Sequence, residues 1–324
     1  MQLYSIRIKM VKNINFYNNS NIKSNHKGSI ILIGNFDGLH LGHRKLFNLA
    51  KKYKKKYSLK IGVMTFEPMP KMYFKKDIKN FRISSQKQKM SLLNKFNVDF
   101  VITKRFNRAF SKTKSIHFIE KILVKKLNAK FIFVSNNFRF GNKREGDVYQ
   151  LIKYENKFHY KIVNPKPLLI KKKVISSSLI RNYLQKGKLD KASKLLNRKW
   201  SIEGKVQKGR QLGKKIGFPT ANIDIKDYIL ACPGVYAVKA KVKKNSKFIK
   251  GIANLGYRPT FNGKKILLEV HLFNFSGNLY NKYLTVEFFK FIRKEKKFKN
   301  VEQLKKQIKD DLLVAKKTKW AKKK

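Results

Sequence analysis

A single cysteine, Cys232, is found in the 324 residues, so no internal disulfide framework can hold this chain together. Its stability has to come from buried apolar surface, as is usual for proteins of a reducing compartment. Long apolar runs are missing as well. No segment reaches the ~18 consecutive apolar residues of a membrane-spanning helix. The first twenty residues are interrupted by Arg7, Lys9, Lys12 and several asparagines, which argues against a secretory leader and for a cytoplasmic protein. Acidic residues are the third scarcity: 18 Asp+Glu stand against 78 Lys+Arg, a net charge of +60. Such a balance raises nucleic-acid binding as a function class. However, the basic residues are spread along the whole chain instead of forming one stripe. Lys, Asn, Ile, Phe and Tyr, all with A/T-rich codons, are abundant together, as compositional drift would produce. No helix-turn-helix, zinc or RNA-recognition signature is present, so neither a specific nucleic-acid partner nor a membrane is expected. The positive field attracts anions such as ATP, less strongly as salt rises.

A hydrophobic content of 42% is enough to build real cores. The length suits two domains. From residue 29 to about 163, apolar runs alternate with helical patterns. Ser29–Phe36, Leu59–Phe66, Val98–Thr103, Lys130–Ser135 and His159–Val163 read as strands, and Arg44–Lys56, Gln86–Phe96, Ser115–Leu127 and Asp147–Tyr154 as helices. This alternation predicts an α/β domain, a Rossmann-like parallel sheet covered by helices, whose ligands lie beyond the strand carboxyl ends. The texture changes near Asn197. Short strands broken by Gly, Pro and Asn come next: Trp200–Lys208, Val235–Val242, Phe248–Asn254, Lys265–Phe273 and Leu284–Phe291. They predict a small antiparallel β-barrel, closed by an amphipathic helix from Val301 to about Lys317. The expected division is therefore residues 1–196 and 197–324.

Two unlike glycine-punctuated motifs stand out, one in each half. The first, Gly34-Asn35-Phe36-Asp37-Gly38-Leu39-His40-Leu41-Gly42-His43, comes after a strand and opens a helix. Helix N-termini present free N–H groups and positive partial charge, which favour phosphate. Gly34 and Gly38 permit close backbone approach, and His40 and His43, three apart, can both face one phosphate cluster. A zinc pair is the competing reading, but no Cys or third His is placed to complete it. Ile175-Ser176-Ser177-Ser178-Leu179-Ile180-Arg181 is a second element. One serine would suffice as an N-cap, whereas three with an arginine look like a phosphate clamp.

The second motif is Gly213-Lys214-Lys215-Ile216-Gly217-Phe218-Pro219-Thr220-Ala221-Asn222. Thr220 and Asn222 offer hard oxygen ligands suited to Mg²⁺ bound with nucleotide phosphates, and the glycines let backbone N–H groups approach those phosphates. A long barrel loop whose Pro219-Thr220 merely begins a strand is the plainer alternative. Farther on, alternation sends Leu268 and Val270 one way and Glu269 and His271 the other.

The first motif, with Ile175–Arg181, Thr65-Phe66-Glu67-Pro68 and Asn137-Phe138-Arg139-Phe140-Gly141, resembles the adenylyltransferase half of bacterial bifunctional riboflavin kinase/FAD synthetases. The second, together with Pro233-Gly234-Val235-Tyr236, Ala253–Gly256 with Arg258-Pro259-Thr260, and Leu268-Glu269-Val270-His271, resembles the riboflavin kinase barrel of the same family. The resemblance implies two consecutive reactions: riboflavin is phosphorylated to FMN, and FMN is adenylylated to FAD with release of pyrophosphate. The alternative is a chain that keeps only the kinase step. By resemblance, His40, His43, Ser176, Ser177, Ser178 and Arg181 hold ATP phosphates, and Gly34, Phe36 and Asp37 shape the nucleotide pocket. Asn137 and Arg139 lie on the flavin side. In the barrel, Gly217, Thr220 and Asn222 take ATP and Mg²⁺, Glu269 is the general base, and Arg293 lies near the flavin. Mg²⁺ is the implied metal. FMN and FAD are substrate and product, not tightly held cofactors. ATP, riboflavin and FMN are the expected partners, and weak self-association is left open.

Overall fold

The computed structural model describes residues 14–75, 78, 81–209, 211–242, 246–260 and 263–320. Residues 1–13, which form part of the N-terminal stretch that argues against a leader, and the side chains of Arg258, Pro259 and Thr260 lie outside that description. The chain divides into two compact units. One comprises Met1–Phe36, Gly42–Lys75 and Met90–Leu168, the other Asp37–Leu41, Lys76–Lys89 and Leu169–Lys324.

The first unit is built on six strands: β1 (Asn15–Tyr17), β2 (Ile30–Ile33), β3 (Ile61–Glu67), β4 (Phe100–Arg105), β5 (Phe131–Phe133) and β6 (Lys161–Val163). They form one sheet in the order β1-β4-β3-β2-β5-β6, and every pairing in it is parallel. All four residues of β2 and six of the seven in β3 are buried. A parallel strand covered on both faces has to read as a continuous apolar run, and these do. Helix α1 (Leu41–Tyr57) buries Leu46, Phe47 and Ala50, spaced for one face. The segment Ser115–Leu127, expected as one α-helix, is a single α-turn (Ser115–His117) continuing as a π-helix (Phe118–Lys126). The wider turn keeps two adjacent pairs, Phe118–Ile119 and Ile122–Leu123, on the core side. β1 was not expected: an edge strand with two exposed residues carries no apolar run.

The second unit contains the hairpin β7 (Leu169–Ile170) and β8 (Lys173–Val174), helices α2 (Ser177–Gln185) and α3 (Leu189–Leu196), and six long or medium strands. These are β9 (Ser201–Gln207), β10 (Ala221–Asp224), β11 (Gly234–Lys241), β12 (Ile249–Thr260), β13 (Gly263–Leu272) and β14 (Tyr283–Lys294). They close into an antiparallel barrel in the order β10-β13-β12-β11-β14-β9. Closure leaves no unpaired edge. The strands of this unit not expected from the sequence are β7 and β8, at two residues each too short to show a period; β10, which begins directly after Pro219-Thr220, is the strand that the plainer reading of that loop allowed.

Helix α4 (Val301–Lys316) docks on the outside of the wall, where Ala315, Ile308 and Leu312 pack with Val235, Ala237 and Ile252. Arg293 of β14 locks it there. Its Nε donates to both carboxylate oxygens of Asp311 at 2.9 and 3.1 Å, and a terminal nitrogen reaches Oδ2 at 2.7 Å. Both side chains are nearly buried. Removing one member of a buried pair leaves the other charged and uncompensated, typically costing about 3–5 kcal/mol. Asp311→Ala is expected to destabilise the barrel by about 3 kcal/mol. Urea unfolding monitored by tryptophan fluorescence checks this, since Trp320 packs edge-on against Phe289 beside the helix.

Candidate active sites

Barrel closure fixes the first site. Across neighbouring strands, Gln207 of β9 is opposite Asn222 of β10, Asn222 opposite Glu269 of β13, and Glu269 opposite Asn254 of β12. Asn254 is then opposite Val235 of β11, and Val235 opposite Arg293 of β14. Residues directly paired across strands share a face. From Asn222 to Arg293, every member of this row lines one cavity of about 730 Å³. Leu268 and Val270 are almost fully buried on the opposite side of β13, as the alternation required. The cavity therefore lies on the outer face of the wall, with Leu304, Ile308 and Asp311 of α4 among its lining residues.

The loop before β10 closes one end of this cavity. Gly217 has φ +89°, a backbone conformation that side-chain-bearing residues avoid. At Gly213 a Cβ would collide with the Phe218 carbonyl and stand 3.4 Å from Thr220 Oγ1, so the loop folds tightly beneath Thr220. His271 Nδ1 donates to Pro219 O at 2.9 Å and ties the loop to β13. Asn222 is 6% exposed, and its Oδ1 is buried without a hydrogen-bond partner among the described residues. A buried acceptor of this kind is costly unless something fills it. Thr220, Asn222 and Glu269 are thus brought to one cavity. Arg293 lines it too, with its guanidinium engaged by Asp311 and, through Nη1, by Lys294 O. Sequence reasoning missed Asn254 and Glu295, which also face this space. For Asn254 the signal was available, because it lies in the Ala253–Gly256 pattern.

The second site is organised by Asp37. Its carboxylate accepts the backbone N–H of Ile83 (3.0 and 3.1 Å) and of Ser84 (3.2 Å). It also pairs with Arg181, whose Nε donates to Phe81 O at 2.8 Å and whose guanidinium stacks 3.7 Å from the Phe81 ring centre. Ser177 Oγ donates to the Asp37 carbonyl at 2.9 Å. Ser176 is the N-cap of α2, accepting from Leu179 N at 3.2 Å, and Ser178 is exposed. The serine cluster thus combines the plain capping role with a tie to the Asp37 loop. Gly38 (φ +78°) and two residues that rarely tolerate it, Phe36 (+48°) and Leu39 (+38°), are left-handed. Such strain concentrates at functional loops.

His40 is 5% exposed. Burial, with the Arg181 and Arg198 guanidinium groups adding to it, lowers its pKa to about 4. It is therefore a neutral imidazole at pH 7. His43 contacts the Phe36 ring edge-on, with centroids 5.2 Å apart. Asn137 and Arg139 come after β5. Ser135 Oγ lies 2.9 Å from Asn137 Oδ1, and Arg139 pairs with Asp147 at 2.9 Å in a half-exposed position. Among the described residues no three His, Cys, Asp or Glu side chains group as a metal site.

A strained glycine loop at a parallel-sheet strand end and a polar row outside a small barrel are the two candidate sites, and the families that match the two halves of the chain are those of nucleotide-dependent transferases. The FAD synthetase family model matches residues 22–179 and the riboflavin kinase model residues 196–319. Over 300 residues the chain is 40% identical to the bifunctional riboflavin kinase/FMN adenylyltransferase of Buchnera aphidicola subsp. Schizaphis graminum, covering 92% of this chain and 96% of that one. It is 37% identical over 289 residues to the Escherichia coli K12 enzyme of the same name, covering 89% and 92%. The chain belongs to the bifunctional riboflavin kinase/FMN adenylyltransferase family. A solved structure described as a macrolide-efflux protein from Streptococcus pneumoniae superposes with TM-score 0.81 and 28% identity, over 94% of this chain and 99% of that one. No helix among the described residues is long and apolar enough to cross a membrane.

The His40 shift makes stability depend on pH. The unfolded imidazole has its usual value of 6.5, so between about 4 and 6.5 the unfolded chain binds more protons. The contribution of His40 is complete above pH 6.5 and is lost as the pH falls toward 4. It amounts to about 3 kcal/mol at most. His40→Asn is expected to flatten the pH dependence of urea unfolding in that window, so that the gap between parent and variant closes as the pH is lowered.

Proposed function

We propose that the chain performs both reactions of its family, phosphorylation of riboflavin at the barrel wall and adenylylation of FMN at the Gly34–His43 loop, with the functional division at 196/197. The Asn222–Glu269–Asn254 row facing one cavity with Thr220 carries the kinase reading. A free hydroxyl is a poor nucleophile. Glu269 accepts the proton of the riboflavin 5′-hydroxyl as its oxygen bonds to the γ-phosphorus of ATP, and the bond to the β-phosphate oxygen breaks to release ADP. General bases typically contribute ~10²–10⁴-fold.

Mg²⁺ fits the barrel site. Thr220 and Asn222 line the cavity and carry hard oxygens, the Asn222 Oδ1 buried without a hydrogen-bond partner among the described residues, and these two residues would hold it. Its chemistry there is to neutralise phosphate charge. Gly217 gives the loop the turn it needs for phosphates to approach. Arg293 keeps α4 on the wall and presents the face that meets the flavin.

Adenylylation needs no base, because the FMN phosphate is already an anionic nucleophile. It bonds to the α-phosphorus of ATP and pyrophosphate leaves, so catalysis rests on positioning and neutralisation. Gly34, Phe36 and Asp37 shape the nucleotide pocket. His40, as a neutral donor, acts with His43, the Ser176–Ser178 turn and Arg181 on ATP phosphates, and Arg181 also holds Asp37 in place. Asn137 and Arg139 take the flavin side. ATP and flavins as substrates argue for a cytoplasmic enzyme.

The purified protein, incubated with riboflavin, Mg²⁺ and excess ATP, is expected to form FMN and then FAD in a chromatographic time course. Glu269→Gln should lower FMN formation by at least ~10²-fold, while FMN supplied directly still becomes FAD. If FMN accumulates without FAD in the parent protein, the chain is a kinase only. If riboflavin is unchanged in folded protein, the kinase reading fails.

A further inference from the structure

The register of the barrel also decides where the rest of the alcohol lies. In the proposed kinase reaction the phosphate end sits at Thr220 and Asn222 and the reacting hydroxyl at Glu269, and the path assigned to the substrate rests on that reading. Neighbouring strands are about 4.8 Å apart. Asn222, Glu269 and Asn254 are successive partners across β10, β13 and β12. The carbon chain that carries the reacting hydroxyl therefore runs from Glu269 away from Asn222, toward Asn254. Beyond Asn254 the lining gains apolar residues, Val235, Ile252, Phe298 and Leu304, beside the Arg293–Asp311 pair. The alcohol this cavity fits has a polar chain ending in an apolar ring.

At the polar middle of that path stands a second carboxylate. Glu295, just past β14, lines the cavity, hydrogen-bonds the Asn254 side chain and lies within electrostatic reach of both Glu269 and Arg293. A Cβ at Gly256 would collide with its carboxylate, so it occupies space that only glycine leaves open. Placing a second negative charge beside Glu269 is unfavourable in itself. A carboxylate, however, offers up to four acceptor positions, and the Asn254 amide takes only part of them. The remainder suit donors on neighbouring carbons of a polyol.

We propose that Glu295 is a specificity-determining residue of the kinase step: anchored by Asn254, it accepts hydrogen bonds from hydroxyls adjacent to the one phosphorylated and selects a polyhydroxylated chain over a simpler alcohol. The full-length protein with ATP and Mg²⁺ tests this on riboflavin and on flavins lacking one side-chain hydroxyl (2′-, 3′- or 4′-deoxy). Glu295→Gln is expected to lower kcat/KM for riboflavin about 10- to 100-fold, mostly through KM, as loss of a hydrogen bond to a charged group does. At least one deoxy flavin should be turned over by parent and variant within about twofold of each other, because the contact is already missing. Gly256→Ala, which displaces the carboxylate without removing it, should give the same pattern and covers the case in which Glu295→Gln fails to fold. Conversion of supplied FMN to FAD reports on the integrity of the rest of the chain. Equal losses on riboflavin and on every deoxy flavin, or no loss on riboflavin, would overturn the assignment. Glu269→Gln, run alongside, separates the two readings: if it retains full activity the base assignment fails, while the analogue pattern of Glu295→Gln still decides the polyol contact.

Discussion

The register of a closed barrel is the constraint on which the kinase half depends. In an open sheet a strand can slip by one residue and send its polar set to the other face. Six strands closed in a ring leave no such freedom, because each is held from both sides. Asn222, Glu269, Asn254, Val235 and Arg293 come from five strands spread over more than seventy residues of sequence, yet hydrogen-bonded pairing sets them in one row. The cavity is then a consequence of what lies on either side of that row: the Gly213–Thr220 loop at one end, and α4, clamped by Arg293–Asp311, at the other. None of the row's polar groups is positioned by a flexible loop, which is how a site keeps the tolerance that catalysis demands.

The scarcity of carboxylates in a +60 chain gives each one weight. The buried ones join segments distant in sequence. Asp37 gathers the signature loop, Ile83 and Ser84, and helix α2 through Arg181. Asp311 joins α4 to β14, and Asp99 pairs with Lys54 and accepts the backbone N–H of Ile61. Buried ion pairs add little net stability over apolar contacts, but they penalise any arrangement that breaks them. In a protein covered with lysine, a carboxylate could find a cation almost anywhere on the surface. Burying it with backbone N–H donors, as at Asp37, makes one partner set far better than the rest.

Much of this architecture was legible in the sequence, and what was not failed for identifiable reasons. Continuous apolar runs gave β2 and β3 because strands buried on both faces must be apolar throughout. The Leu268–His271 alternation placed Glu269 on the cavity side because its neighbours are core residues. β1 escaped because three residues, two of them exposed, show no period, and the four residues of β10 entered only as the plainer reading of the loop that precedes them. The π-helix escaped because apolar positions do not distinguish a widened turn from an ordinary one over nine residues. The glycine loop and the serine turn were visible as motifs. The Ser176 cap is local, but that Ser177 ties down Asp37 depends on a contact across 140 positions, which composition cannot encode. Glu295 was invisible for a related reason: in Arg293-Lys294-Glu295-Lys296-Lys297 it reads as one more member of a solvated charge run. Only the gap above Gly256 marks it out.

The two candidate sites differ in the way the chemistries proposed for them require. A hydroxyl acceptor has to lose a proton as it attacks, and the barrel wall provides carboxylates where the surface average would provide lysine. A phosphate acceptor has no proton to lose, and the residues proposed for that step are serines, an arginine and an imidazole held neutral by burial. The neutrality of His40 has a physical rationale. A permanently cationic imidazole beside Arg181 and Arg198 would be repelled by both. A neutral donor gives direction without a fixed charge, and the surrounding arginines already supply the field. A net charge of +60 spread along the whole chain is common to both candidate sites and does not distinguish them. The distinction lies in how the chain departs from its own average: carboxylates that line a cavity on the barrel wall, and at the signature loop a carboxylate already taken up by Arg181 and backbone N–H groups beside a neutral imidazole.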